Sequence, residues 1–180
     1  MKRWIVFLVL LAVPALVFAT TVVPMGVEAL TRASSHVVEA RATGSTSQWN
    51  PEHTFIFTYT RFEVTRTLKG QVPKEILVRQ IGGTVEGIAQ KVSGVRQWRS
   101  GDEAILFLQP SPVADGTLVV TGLMQGNFLM RHTPAGRTIV SNGMPEAFEY
   151  HAAAAGVTSY RGNTMRLDEI ESRVQKAVEK

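Results

Sequence analysis

The sequence predicts a mainly β protein, a closed or partly open barrel, with helix confined to its two ends. Three observations carry that reading. Residues 54–68, TFIFTYTRFEVTRTL, alternate with a period of two along one long strand. Short apolar runs at 75–81, 103–108, 117–121, 127–132 and 137–141 are separated by turn residues such as Lys69-Gly70, Gly101-Asp102 and Asp115-Gly116. Helical spacing occurs only near residues 26–34 and 164–180.

Each element has its own local reason. In residues 26–34, Val27 and Leu30 share a face and Glu28 sits near the positive N-terminal end of the predicted helix. Residues 35–43, SHVVEARAT, are apolar and β-branched enough for a strand. Residues 44–53, GSTSQWNPEH, read as a polar loop carrying Trp49. In the long strand, Ile56, Thr58, Thr60, Phe62 and Val64 form the inner parity. Phe55, Phe57 and Tyr59 make the other parity aromatic at first, before Arg61 and Glu63 turn it toward water. A strand of this length is expected to bend or bulge. EILVRQI at 75–81 is the next strand, and residues 82–101 form an irregular glycine-rich stretch. EAILFL at 103–108 is short and apolar enough for a central strand. Asp115-Gly116 signals a hairpin into 117–121, and Thr133-Pro134-Ala135-Gly136 a tight turn between 127–132 and 137–141. Residues 142–163 are expected to be a linker or excursion. Thr164 is the expected N-cap of an amphipathic helix over 164–180, with Leu167, Ile170, Val174, Ala177 and Val178 at helical spacing. Short strands with helices only at the ends favour an OB-like barrel over residues 20–141, with an immunoglobulin-like β-sandwich as the alternative.

The first 19 residues have the layout of a secretory signal peptide. Lys2 and Arg3 precede an apolar run to Phe18, and Ala19 is a small residue at the expected cut. A membrane anchor needs about 20 apolar residues, and Pro14 interrupts a run that is already shorter. The expected product is periplasmic or secreted, with no stable membrane span. Without Lys2 and Arg3 it carries 17 basic and 15 acidic residues, a net charge of +2 that gives no reason to expect nucleic acid. The charge is uneven, because residues 61–99 hold eight basic and three acidic side chains. That stretch is either a solvated strand face or a basic patch for an anionic partner.

The chain has no cysteine, which excludes disulfides, thiolate metal sites and cysteine nucleophiles. His36, His53, His132 and His151 have no partner at metal-ligand spacing, so no metal or cofactor is expected. No Gly-x-Ser-x-Gly elbow is present, and Gly82-Gly83-Thr84-Val85-Glu86-Gly87 lacks the Lys and hydroxyl of a phosphate loop. No catalytic residues are therefore assigned. The candidate ligand-binding residues are Trp49, His53, Arg79, Arg96, Trp98 and Arg99, which combine two loop tryptophans with the basic stretch. For Trp49 and Trp98 the competing reading is that their indoles cap the barrel core.

Leu68-Lys69-Gly70, Gly82-Gly83, the run from Gly101 to Leu108 and Gly122-Leu123-Met124-Gln125-Gly126-Asn127-Phe128 together resemble a group of uncharacterised exported bacterial proteins, over most of residues 20–132. That resemblance implies export and brings no catalytic residues. Lys69-Gly70, Gly82-Gly83 and the strand to Leu108 also resemble the netrin-like and tissue-metalloproteinase-inhibitor domains, which are OB-fold barrels. Those domains are disulfide-bonded, and the inhibitors chelate zinc through an N-terminal Cys. A chain without Cys keeps from that likeness only the barrel topology. The expected function is a non-enzymatic binding module of the bacterial envelope, its partner a protein, peptide or polysaccharide. The alternatives are a modulator of a secreted protease and a hydrolase with a dispersed site.

Overall fold

A computed structural model describes residues 24–143 and 164–180. The expected leader and residues 144–163 of the expected excursion lie outside the described residues.

Five strands close into a barrel. They are β1 (His36–Trp49), β2 (Ile56–Lys69), β3 (Glu75–Ile81), β6 (Glu103–Pro110) and β7 (Leu118–Val120), in the order β1-β2-β3-β7-β6, and β1 pairs with β6 to complete the ring. All the pairings are antiparallel except β3 with β7, where Val78 faces Leu118 in parallel. This is the OB-like order. Between β3 and β6 the chain adds a small hairpin, β4 (Gly83–Val85) with β5 (Ile88–Gln90). Beyond β6 the sheet continues through β8 (Asn127–His132), β9 (Thr138–Ser141) and β10 (Thr164–Arg166). Two helices complete the fold, α1 (Val27–Ala33) and α2 (Leu167–Val178).

β6 explains its own sequence. Ala104, Leu106 and Leu108 point into the barrel, with Val38, Ala40, Phe62, Val78 and Trp98. Ile105 and Phe107 point outward into a second core, beneath Val27 and Leu30 of α1 and Ile170 and Val174 of α2. A strand covered on both faces needs no polar alternation, so EAILFL is continuous. The helices are held as well as buried. Arg173 of α2 donates from Nε and Nη2 to both carboxylate oxygens of Glu28 on α1, at 2.7 and 2.8 Å. Lys69 Nζ donates to the carbonyls of Thr31 and Ser34 at 2.6 and 2.7 Å, so the Lys69-Gly70 strand end caps the C-terminus of α1.

Three sequence expectations need correction. Residues 44–49 are strand, because their polar side chains are used in pairs across the long hairpin. Ser45 Oγ bonds Thr60 Oγ1 and Ser47 Oγ bonds Thr58 Oγ1, each at 2.8 Å. The expected irregularity falls within this hairpin, where the register shifts at three places along β1 and β2. The glycine-rich stretch contains the β4–β5 hairpin before it turns irregular. Thr164 is no N-cap, since Thr164–Arg166 pairs with β9 as strand and the helix starts at Leu167. An interior hydrophobic run signals a helix better than it signals the residues that precede it.

Candidate functional site

The outward parity of β2 and β3 builds the site. Phe57 pairs with Ile81 and Tyr59 with Arg79, so an aromatic pair on one strand meets two apolar-stemmed residues on the next. The Arg79 guanidinium lies 3.8 Å from the Phe57 ring centroid. Among the described residues Arg79 makes no ion pair, and its Nε is buried without a hydrogen-bond partner. Asp115 feels its field, but that carboxylate is turned into its own loop. It accepts from the Thr117 amide at 3.0 Å and from the Thr117 hydroxyl, and the hydroxyl bond is the main reason its carboxyl titrates below the usual range.

Arg79 stands at a cleft of about 410 Å³ whose walls include Ile81, Val95, Pro112, Val119 and Leu123. In five-stranded barrels of this order, the face of the second and third strands and the loop between the fourth and fifth is the usual place for a ligand. Phe57, Arg79 and Pro112 occupy those positions. Gly122 and Leu123, which both line the cleft, adopt positive φ, 65° and 57°. Glycine does so freely; a leucine is strained there, and this one is 46% exposed.

A second cavity, of about 720 Å³, lies under the β4–β5 hairpin and shares Val95 with the first. Ser45, Ser47, Thr58, Gln90 and Gln97 line it. Much of its chemistry is already in use. Besides the serine–threonine pairs, Thr58 Oγ1 donates to the Gly82 carbonyl and Gln90 Oε1 accepts from the Ile56 amide, each at 2.7 Å. A Cβ on Gly83 would collide with the Thr58 and Ser47 hydroxyls, which is why the sequence has glycine there.

A third cluster is exposed. His132 bonds Glu103 Oε2 through Nε2 and Thr138 Oγ1 through Nδ1, both at 2.9 Å, while Arg41 donates to Glu103 Oε1. These partners, His132 first, lower the Glu103 carboxyl below its ordinary range. The chain of groups joins a hydroxyl, an imidazole and a carboxylate, but His132 is 68% exposed on β8 and lines neither cavity.

The six sequence candidates do not share one groove. Trp98 is only 6% exposed and packs edge-on against Phe62, with centroids 5.2 Å apart, so it belongs to the barrel core. Arg96 is half-buried near it and donates to the Asn142 carbonyl at 3.2 Å; burial lowers its pKa. Trp49 ends β1 and stacks on His53, which lies in the β1–β2 turn organised by Asn50. Arg99 is exposed in the turn closed by its amide on Asp102. Arg79 alone lines the cleft. Phe57, Val119 and Leu123 are not among the six; the aromatic outward parity of residues 55–59 signals Phe57, while Val119 and Leu123 have no comparable local signal.

Among the described residues no group of three or more His, Asp or Glu is placed to hold a metal ion, and no helix is long and apolar enough to cross a membrane. The chain matches no known family model, and no curated protein shows significant similarity to it.

Proposed function

We propose that this protein is an exported, non-enzymatic binding module of the bacterial envelope, and that its ligand enters the cleft at Arg79. One observation carries the reading: a guanidinium over the Phe57 ring, with no ion pair among the described residues, lining an apolar cleft. An arginine held in place by an aromatic ring has already lost much of the freedom that binding would otherwise cost it. Export rests on the leader-like first 19 residues.

The test is an amide NMR spectrum of the mature chain, recorded with separate lipid, peptide and saccharide fractions of envelope extract. Saturable shifts at Phe57, Arg79, Val95 and Val119 with one fraction support the reading. Unchanged spectra with every fraction overturn it.

The hydrolase alternative has the Thr138–His132–Glu103 chain in its favour. It requires turnover of an activated ester that is lost in both His132→Ala and Thr138→Ala. The protease-modulator alternative requires inhibition of exported metalloproteases at micromolar protein.

A further inference from the structure

We propose that the cleft takes a single-chain amphiphile with an anionic head, its carboxylate on Arg79 and its apolar chain along Val95, Val119 and Leu123. This rests on the binding reading above and names the ligand class for the same cleft.

The head group follows from Arg79. The guanidinium lies over the Phe57 ring, and its Nε is buried, so an acceptor would meet it through the terminal Nη groups. Those groups match a carboxylate in a two-pronged arrangement. Asp115, whose carboxylate feels the charge of Arg79, makes no ion pair with it and accepts from Thr117 through Oδ1. An anionic head would give Arg79 the direct ion pair it lacks among the described residues, and a cationic or neutral head would not.

The chain follows from the walls. Ile81, Val95, Pro112, Val119 and Leu123 present aliphatic carbon, and the polar lining beside Arg79 is confined to Gln80 and Gln109. A saccharide ring needs several directed donors and acceptors, which these walls do not supply. A peptide would bind here most readily by adding a strand, but β3 is paired with β2 along one edge and meets β7 at Val78–Leu118 on the other, which leaves only Arg79–Ile81 for a new strand. An acyl chain needs neither. The volume of about 410 Å³ is within the range of roughly 300–1,000 Å³ usual for small-ligand sites.

Leu123 is the independent observation. A leucine at φ 57°, half out in solvent, is costly in backbone strain and in apolar exposure at once. Glycine at this position would remove both costs. A leucine there makes sense as an apolar wall completed by a ligand.

The test is calorimetric titration of the mature chain with decanoate and with decanol, below their aggregation concentrations, using the wild type, Arg79→Gln and Val119→Asn. Neither substitution touches the barrel interior, and circular dichroism confirms that each variant is folded. Decanoate is expected to bind the wild type at least about tenfold more tightly than decanol, the margin of one charge-assisted hydrogen bond. Arg79→Gln is expected to bring the two ligands together, and Val119→Asn to weaken both. Equal affinity of decanoate and decanol for the wild type, or a decanoate preference that survives Arg79→Gln, overturns the head-group assignment. If neither amphiphile binds while a peptide or saccharide fraction shifts the cleft amides, the ligand class is wrong and the binding reading stands. If nothing shifts those amides, both fall.

Discussion

Two outer faces of one barrel have been finished in different ways. Over β1 and β6 the outward side chains Val37, Ile105 and Phe107 lie beneath α1 and α2, and the Glu28–Arg173 pair locks the two helices together. Over β2 and β3 the outward side chains Phe57 and Ile81 have no described helix above them, and an arginine lies across the ring instead. Both faces arise from the same period of two. The difference shows that apolar outward residues on a strand have two uses: to seat the chain's own helix, or to stay open with a charge beside them. Substitutions on the first face should act on stability, and those on the second on binding.

The largest expected effect is on the covered face. Phe107→Ala removes a fully buried ring and should cost about 3–5 kcal/mol in urea unfolding. Arg173→Ala breaks the helix clamp and leaves Glu28 without its bidentate partner; the pair is partly exposed, so the expected loss is about 1–2 kcal/mol. On the open face the sign reverses. Leu123→Gly relieves a left-handed backbone and should raise stability by about 1 kcal/mol while weakening decanoate binding. Phe57→Ala should cost less than about 1 kcal/mol and abolish the decanoate preference, because Arg79 loses its platform. A Phe57→Ala loss as large as that of Phe107→Ala would erase the distinction between the faces.

Acid sharpens the same comparison. The hydrogen bond from Arg173 holds the Glu28 carboxyl below its ordinary range. Its contribution is therefore present above the unfolded carboxyl value and is lost as pH falls through the lowered folded value. Glu39, under α2 and near Glu171 and Arg66, behaves oppositely. Burial first, then the neighbouring Glu171, raises its carboxyl. Its contribution is present at low pH and is lost as pH rises through the raised value. The stability difference between wild type and Glu28→Gln should thus shrink on acidification, whereas Glu39→Gln should gain on the wild type as pH rises. Urea midpoints across the carboxylate range check both signs.

Much of the barrel could be read directly from residue order. Strict alternation in residues 56–63 and the unbroken EAILFL run leave few other structures open, and Asp115-Gly116 and Thr133-Pro134 mark their turns. Ser45 and Ser47 misled because hydroxyls look like loop residues until a partner strand supplies Thr58 and Thr60 at matching register. The site was less legible for a related reason. Trp98 looked like a recognition residue because its flanks are glycine-rich and charged, yet the indole fills the barrel against Phe62. Arg79 was singled out for its charge. Phe57 reaches it across the β2–β3 hairpin pairing, but Val119 and the residues around Gly122 arrive only with the β3–β7 parallel pairing. Pairing at that separation has no local sequence signal.

The most direct measurement is a crystal structure of residues 20–180 grown with decanoate. The expected result is a carboxylate within hydrogen-bond distance of the Arg79 guanidinium, with the chain running past Val95 and Val119 to Leu123. A decanoate seated instead against α1 or α2, or one whose head points away from Arg79, would contradict the account.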